Sequence, residues 1–73
     1  MKTLVKSPLP GKIIGVNVLE GQEVKRGQVL VILESMKMHN EIASPYDAVV
    51  TKVFTSENAH ASMNSDLVEL EKL

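Results

Sequence analysis

The chain has 73 residues, a formal net charge of −1 and no cysteine. That length allows one small domain with a modest core. Disulfides and thiolate metal sites are excluded, and there is no basic stripe of the kind that holds nucleic acid. The composition is 44% hydrophobic but only 3% aromatic, with Tyr46 and Phe54 the sole candidates for base stacking, so the core must be built from Val, Ile and Leu. In chain order, the β-branched segments Thr3–Ser7, Lys12–Val18, Val29–Glu34, Glu41–Ser44, Ala48–Phe54 and Asp66–Glu71 predict six short strands. PLPG at 8–11, EGQ at 20–22, KRGQ at 25–28, SPYD at 44–47, SEN at 56–58 and MNSD at 63–66 predict the turns between them. No window carries a capped helical period. The pattern predicts an all-β sandwich or flattened barrel. Val29–Leu33, the longest apolar run, is too short to cross a membrane. No signal-peptide pattern opens the chain, so the expectation is a cytoplasmic protein without direct membrane insertion.

The strands repeat. Sliding the chain by 37 residues lays Ser7–Glu34 on Ser44–Glu71 without a gap, and 8 of the 28 positions are identical. They include Ser7 with Ser44, Pro8 with Pro45, Leu30 with Leu67, Leu33 with Leu70 and Glu34 with Glu71. Two like units that each lack a complete core can bury their apolar faces against one another, which predicts quasi-two-fold symmetry. The link between the halves then holds a unique position, and Lys37 lies in it.

That link reads ESMKM, Glu34 to Met38, between two strand-like segments, and so predicts a hairpin. Short hairpin turns favour Gly or Asn, and neither occurs at 35–38. Something other than turn propensity selects Met-Lys-Met. From the residues alone, Met36 and Met38 either cover the end of the core while Lys37 reaches into water, or serve a partner. No catalytic set is visible elsewhere. His39 and His60 have no carboxylate partner at a telling spacing, and His60 falls in the turn-like ENAHAS. Glu20, Glu23, Glu57, Glu69 and Glu71 are scattered as solvated charges would be. Asn64 with Asp66 does not follow a calcium-loop spacing.

ESMKM resembles the attachment sequence of biotinyl domains, the carrier modules of biotin-dependent carboxylases and decarboxylases. The resemblance extends through Gly11, Glu20-Gly21, Val24, Gly27-Gln28, Leu30 and Glu34 before the motif and NEIASPYDAVV after it, roughly Val5 to Leu70. Departures fall in the second half. Ala48, Asn58 and Asn64 stand where the family usually has glycine, Ala61 where it has valine, and His39 where glutamate is frequent. Asn58 and Asn64 can serve as left-handed turn residues. Ala48 and Ala61 alter local packing and put second-half stability in question. Met on both sides of the lysine favours biotin over lipoate, since the sister lipoyl domains carry an acidic residue before theirs.

The resemblance implies residues 1–73 as one biotinyl domain, a flattened barrel-sandwich hybrid of two four-stranded antiparallel sheets with quasi-two-fold symmetry. It implies biotin in amide linkage to Lys37, flanked by Glu34, Ser35, Met36 and Met38 as recognition residues. It implies a non-catalytic carrier, biotinylated by a biotin protein ligase, that moves CO2 as carboxybiotin between a biotin carboxylase and a carboxyltransferase or decarboxylase subunit. No insert interrupts the repeat, whereas some bacterial acetyl-CoA carboxylase carriers have a protruding one, which favours an acyl-CoA carboxylase or a decarboxylase. The alternatives are a cofactor-free adaptor of the same fold and a lipoyl-type carrier.

Overall fold

A computed structural model describes residues 1–73. Eight strands, all paired antiparallel, form two four-stranded sheets with no helix. The strands are β1 (Lys2–Lys6), β2 (Gly11–Val16), β3 (Glu23–Val24), β4 (Val29–Ser35), β5 (Met38–Ala43), β6 (Ala48–Val53), β7 (His60–Ala61) and β8 (Asp66–Lys72). One sheet runs β1-β8-β6-β3 and the other β5-β4-β2-β7. The sequence predicts six of these. β3 and β7 escape it because two residues are too few to show an alternation. The predicted second strand also ends two residues early, at Val16. There the chain leaves the sheet, with the Asn17 N–H still donating to the Leu30 carbonyl at 2.9 Å.

The shift of 37 residues maps the first half onto the second, strand for strand: β2 falls on β6, β3 on β7 and β4 on β8. Long-range backbone bonds follow the same rule. The Ser7 N–H donates to Ser65 and the Ser44 N–H to Gln28, at 2.9 and 2.8 Å. Each half lends a strand to the other's sheet: β3 pairs with β6, and β7 pairs with β2. Neither half has a complete sheet alone. The shared serines follow from this: Ser7 and Ser44 are buried, and each hydroxyl donates to the carbonyl two residues on, at 2.6 Å. No buried side-chain polar atom is left without a partner.

The core is aliphatic, as the composition requires. Twelve residues form it: Ile13, Val18, Val24, Leu30, Val31, Leu33, Ala48, Val50, Ala61, Leu67, Val68 and Leu70. Inward residues of the two sheets interdigitate along the alternation that the sequence shows in β6 and β8. Tyr46 packs against this cluster, with its hydroxyl bonded to Thr3 and the Lys72 ammonium 5.2 Å from its ring centre. The second-half departures fit. Asn58 and Asn64 adopt φ of 73° and 67°, matching Gly21 and Gly27 at 90° and 85° in the first half. Ala48 is fully buried in β6, so its methyl is accommodated. Two carboxylates expected to be solvated instead brace the backbone and neighbouring strands. Glu20 accepts from the Val53 N–H at 3.0 Å, and Glu69 from the Thr51 hydroxyl at 2.8 Å.

Candidate functional site

The link between the halves is a tighter hairpin than its sequence predicts. β4 and β5 pair from Val29↔Ala43 to Ser35↔Met38, leaving a turn of two residues, Met36 and Lys37. β5 therefore begins at Met38, three residues before the predicted strand. Both turn residues have positive φ, 52° and 62°. A two-residue turn with this geometry matches the twist of its flanking strands, which is why Asn-Gly is usual there. Side chains with a Cβ pay about 1–2 kcal/mol per residue for the left-handed region. The paired strands hold Met36 and Lys37 in it against their preference, and strain of this kind collects at functional positions. Met36→Gly is accordingly expected to raise stability by up to about 1 kcal/mol, relief of strain outweighing glycine's added entropy cost. A chemical-denaturation midpoint below that of the unsubstituted chain would contradict this origin of the strain.

The turn projects its side chains into solvent. Met36 and Met38 are 82% and 67% exposed, and neither packs on the core. The core-cover alternative for the methionines therefore fails. Lys37 is exposed and forms no ion pair and no side-chain hydrogen bond. Ser35, the last residue of β4, is buried, and Glu34 before it is half-buried. Thus Glu34, Ser35, Met36, Lys37 and Met38 are brought together at one end of one hairpin.

His39 does have a carboxylate partner, contrary to the sequence reading. Hairpin pairing sets it opposite Glu34, with Nε2 3.7 Å from the Glu34 carboxylate. The spacing of five residues becomes telling only once the turn is known to have two. His60 lies in β7 rather than in a turn, and stays exposed. Gly11 has a role that the sequence marks only as a turn. A Cβ there would lie 2.3 Å from the Glu34 carbonyl oxygen, so its absence lets β2 lie close against β4 just behind the tip.

The chemistry available is that of one accessible primary amine on a rigid support. The domain has no cavity able to enclose a cofactor and no cluster of three or more His, Cys, Asp or Glu. A group could be held here by acylation of Lys37: nothing competes for the amine, and apolar surface lies on either side.

A family model described as "Biotin-requiring enzyme" matches residues 3–70. The chain is 56% identical over 66 residues to a methylmalonyl-CoA decarboxylase subunit gamma of Veillonella parvula, covering 90% of this chain and 51% of that protein. It is 41% identical over 66 residues to the mitochondrial methylcrotonoyl-CoA carboxylase subunit alpha of Rattus norvegicus, covering 90% of this chain and 9% of that one. It therefore spans about half of the first relative and under a tenth of the second. Among solved structures, a single-chain, multi-domain long-chain acyl-CoA carboxylase superposes with a TM-score of 0.94 at 24% identity, over 99% of this chain and 7% of that one. That likeness establishes a shared fold.

Proposed function

The chain belongs to the biotin-requiring enzyme family, and we propose that residues 1–73 are one biotinyl domain, a non-catalytic carrier with biotin in amide linkage to Lys37. The observation that carries this is the hairpin tip: a free, exposed lysine in a strained two-residue turn, with an exposed methionine on either side. When bound, biotin supplies a ureido nitrogen that takes up and releases CO2. The chain's own residues provide the anchor, the rigidity and the docking contacts.

Acylation of a lysine ammonium needs an activated acyl donor and removal of a proton. No base stands beside Lys37, so both must come from a biotin protein ligase. The amide removes one positive charge, taking the formal net charge one unit below its value of −1. The lysine and valeryl chains then give a reach of roughly 12–15 Å from the backbone. Met36 and Met38 offer polarizable apolar contacts that adapt to more than one partner. A stiff tip reduces the conformational freedom lost at each docking. The tether holds its cargo at an effective concentration on the order of millimolar near the partner's site.

The partners that fit are the ligase, a biotin carboxylase, and a carboxyltransferase or decarboxylase subunit, with the acyl-CoA names of the two relatives supporting an acyl-CoA system. No helix is long and apolar enough to cross a membrane, and the reading places the domain in the cytoplasm. To separate biotin from lipoate, the chain is offered to a biotin protein ligase and, separately, to a lipoate ligase, each with its own cofactor and ATP. Modification by the first alone is expected. Modification by the lipoate ligase would transfer the chain to the sister class, and no modification by either would leave a cofactor-free adaptor. In the biotin reaction, Met36→Thr with Met38→Ala is expected to lower kcat/KM about tenfold or more, through loss of apolar contact worth about 1.4 kcal/mol. An unchanged value would show that the methionines do not contact the ligase.

A further inference from the structure

The internal repeat provides a control surface within the molecule. Side chains directly opposite one another on paired strands share a face of the sheet. One such row crosses the tip-bearing sheet from edge to edge: His60 on β7 opposite Lys12 on β2, Lys12 opposite Glu34 on β4, and Glu34 opposite His39 on β5. The row lies one residue pair behind Ser35↔Met38. The shift of 37 carries it onto Glu23, Val49, Glu71 and Lys2, which form the corresponding row of the other sheet. The backbone is the same, but the chemistry differs. The second row has two carboxylates and one ammonium. The tip-bearing row has one carboxylate, one ammonium and two imidazoles.

The charges also differ in their state of pairing. In the second row, Glu23 is 3.7 Å from the Lys25 ammonium, Glu71 is 2.6 Å from the amino group of Met1, and Lys2 is 3.8 Å from Glu69. In the tip-bearing row only Glu34 and His39 pair, leaving Lys12 and His60 exposed without an ionic partner. The nearest further carboxylate on β5 is Glu41, which lies opposite Ile32, beyond the row from the tip. The strip behind the tip thus presents an uncompensated ammonium and N–H donors, whereas its twin neutralises its own charges.

We infer that the row His60–Lys12–Glu34–His39 is a docking strip that fits an acidic, hydrogen-bond-accepting surface on the enzyme that acylates Lys37. This inference rests on the carrier reading of the tip. The ligase is favoured over later partners by reach. A bare lysine amine extends only about 6 Å from its backbone, and the row lies about 7 Å along the strands from the turn. An enzyme that closes on the bare amine is brought against the row. Once the longer tether is attached, an active site can be entered with the sheet held clear. The difference between the rows then explains how one end of a nearly symmetric molecule is distinguished from the other.

The test compares Lys12→Gln with Lys2→Gln, each removing one ammonium, in biotinylation by a biotin protein ligase at low and high salt. Lys12→Gln is expected to lower kcat/KM at least threefold at low salt, mainly through KM, with the difference closing at high salt. Lys2→Gln is expected to match the unsubstituted chain. His60→Glu, which installs the twin row's residue, is expected to repeat the Lys12→Gln loss without touching the tip hairpin. Thermal midpoints confirm folding of each variant, and the His60 variant stands in if Lys12→Gln does not fold. The inference is overturned if neither row's variants change kcat/KM, if Lys2→Gln falls as far as Lys12→Gln, or if the loss persists at high salt. Such results with Lys37 still biotinylated remove only the strip, whereas no biotin on the unsubstituted chain removes the carrier reading itself.

Discussion

Lys37→Arg is expected to fold as the unsubstituted chain does and to accept no biotin. The Lys37 side chain makes no ion pair, hydrogen bond or core contact, so its replacement by another long cation changes stability by less than about 0.5 kcal/mol. Arginine also keeps the charge of the turn. What it lacks is an amine that can be deprotonated and acylated, because the guanidinium stays protonated in proteins. The effect on modification is therefore complete while the effect on fold is negligible. A retained streptavidin signal would require another lysine. Lys2, Lys6, Lys12, Lys52 and Lys72 lie within strands, and Lys25, in a turn, is 3.7 Å from the Glu23 carboxylate. None stands at the end of a hairpin between two exposed methionines, so persistence of signal in the variant would remove the tip from the mechanism.

Gly11→Ala is expected to destabilise the domain by about 3 kcal/mol, the upper part of the usual range for overpacking. The added methyl would meet the Glu34 carbonyl oxygen at 2.3 Å, and the obstacle is backbone, with no flexible side chain to swing aside. Relief requires β2 and β4 to separate at the last residues before Ser35. A 73-residue domain has on the order of 4–11 kcal/mol of total stability, so the loss is a large share. The twin position supplies the contrast. Ala48 occupies it fully buried, and Ala48→Gly is expected to cost about 1–2 kcal/mol, from lost burial and added backbone freedom. Denaturant midpoints for both variants measure this. Equal losses would show that close approach at Gly11 is not what the tip depends on.

How much could be read in advance depended on the kind of signal each feature leaves. The repeat was legible because buried positions recur at a fixed offset: Leu30 with Leu67, Val31 with Val68, Leu33 with Leu70. The all-β class followed from β-branched segments and close turns. β3 and β7 were not legible, since two residues carry no period, and their existence depends on the other half of the chain. The tip was legible as a hairpin but its turn was not, because Met-Lys contradicts turn propensity and is imposed by pairing along β4 and β5. For the same reason the Glu34–His39 pair was missed: a cross-strand contact can be located only after the register is fixed. The family was legible through the resemblance of ESMKM and its framework to biotinyl domains, and the matching family model covers residues 3–70.

The central claim is that the strained, solvent-facing turn exists to present Lys37 for acylation. Intact-mass measurement after incubation with a biotin protein ligase, biotin and ATP tests it most directly, with the modified residue mapped by peptide fragmentation. The account predicts a single biotin per chain, at Lys37, in nearly every molecule. An unmodified chain, or biotin mapped to any other lysine, would contradict it.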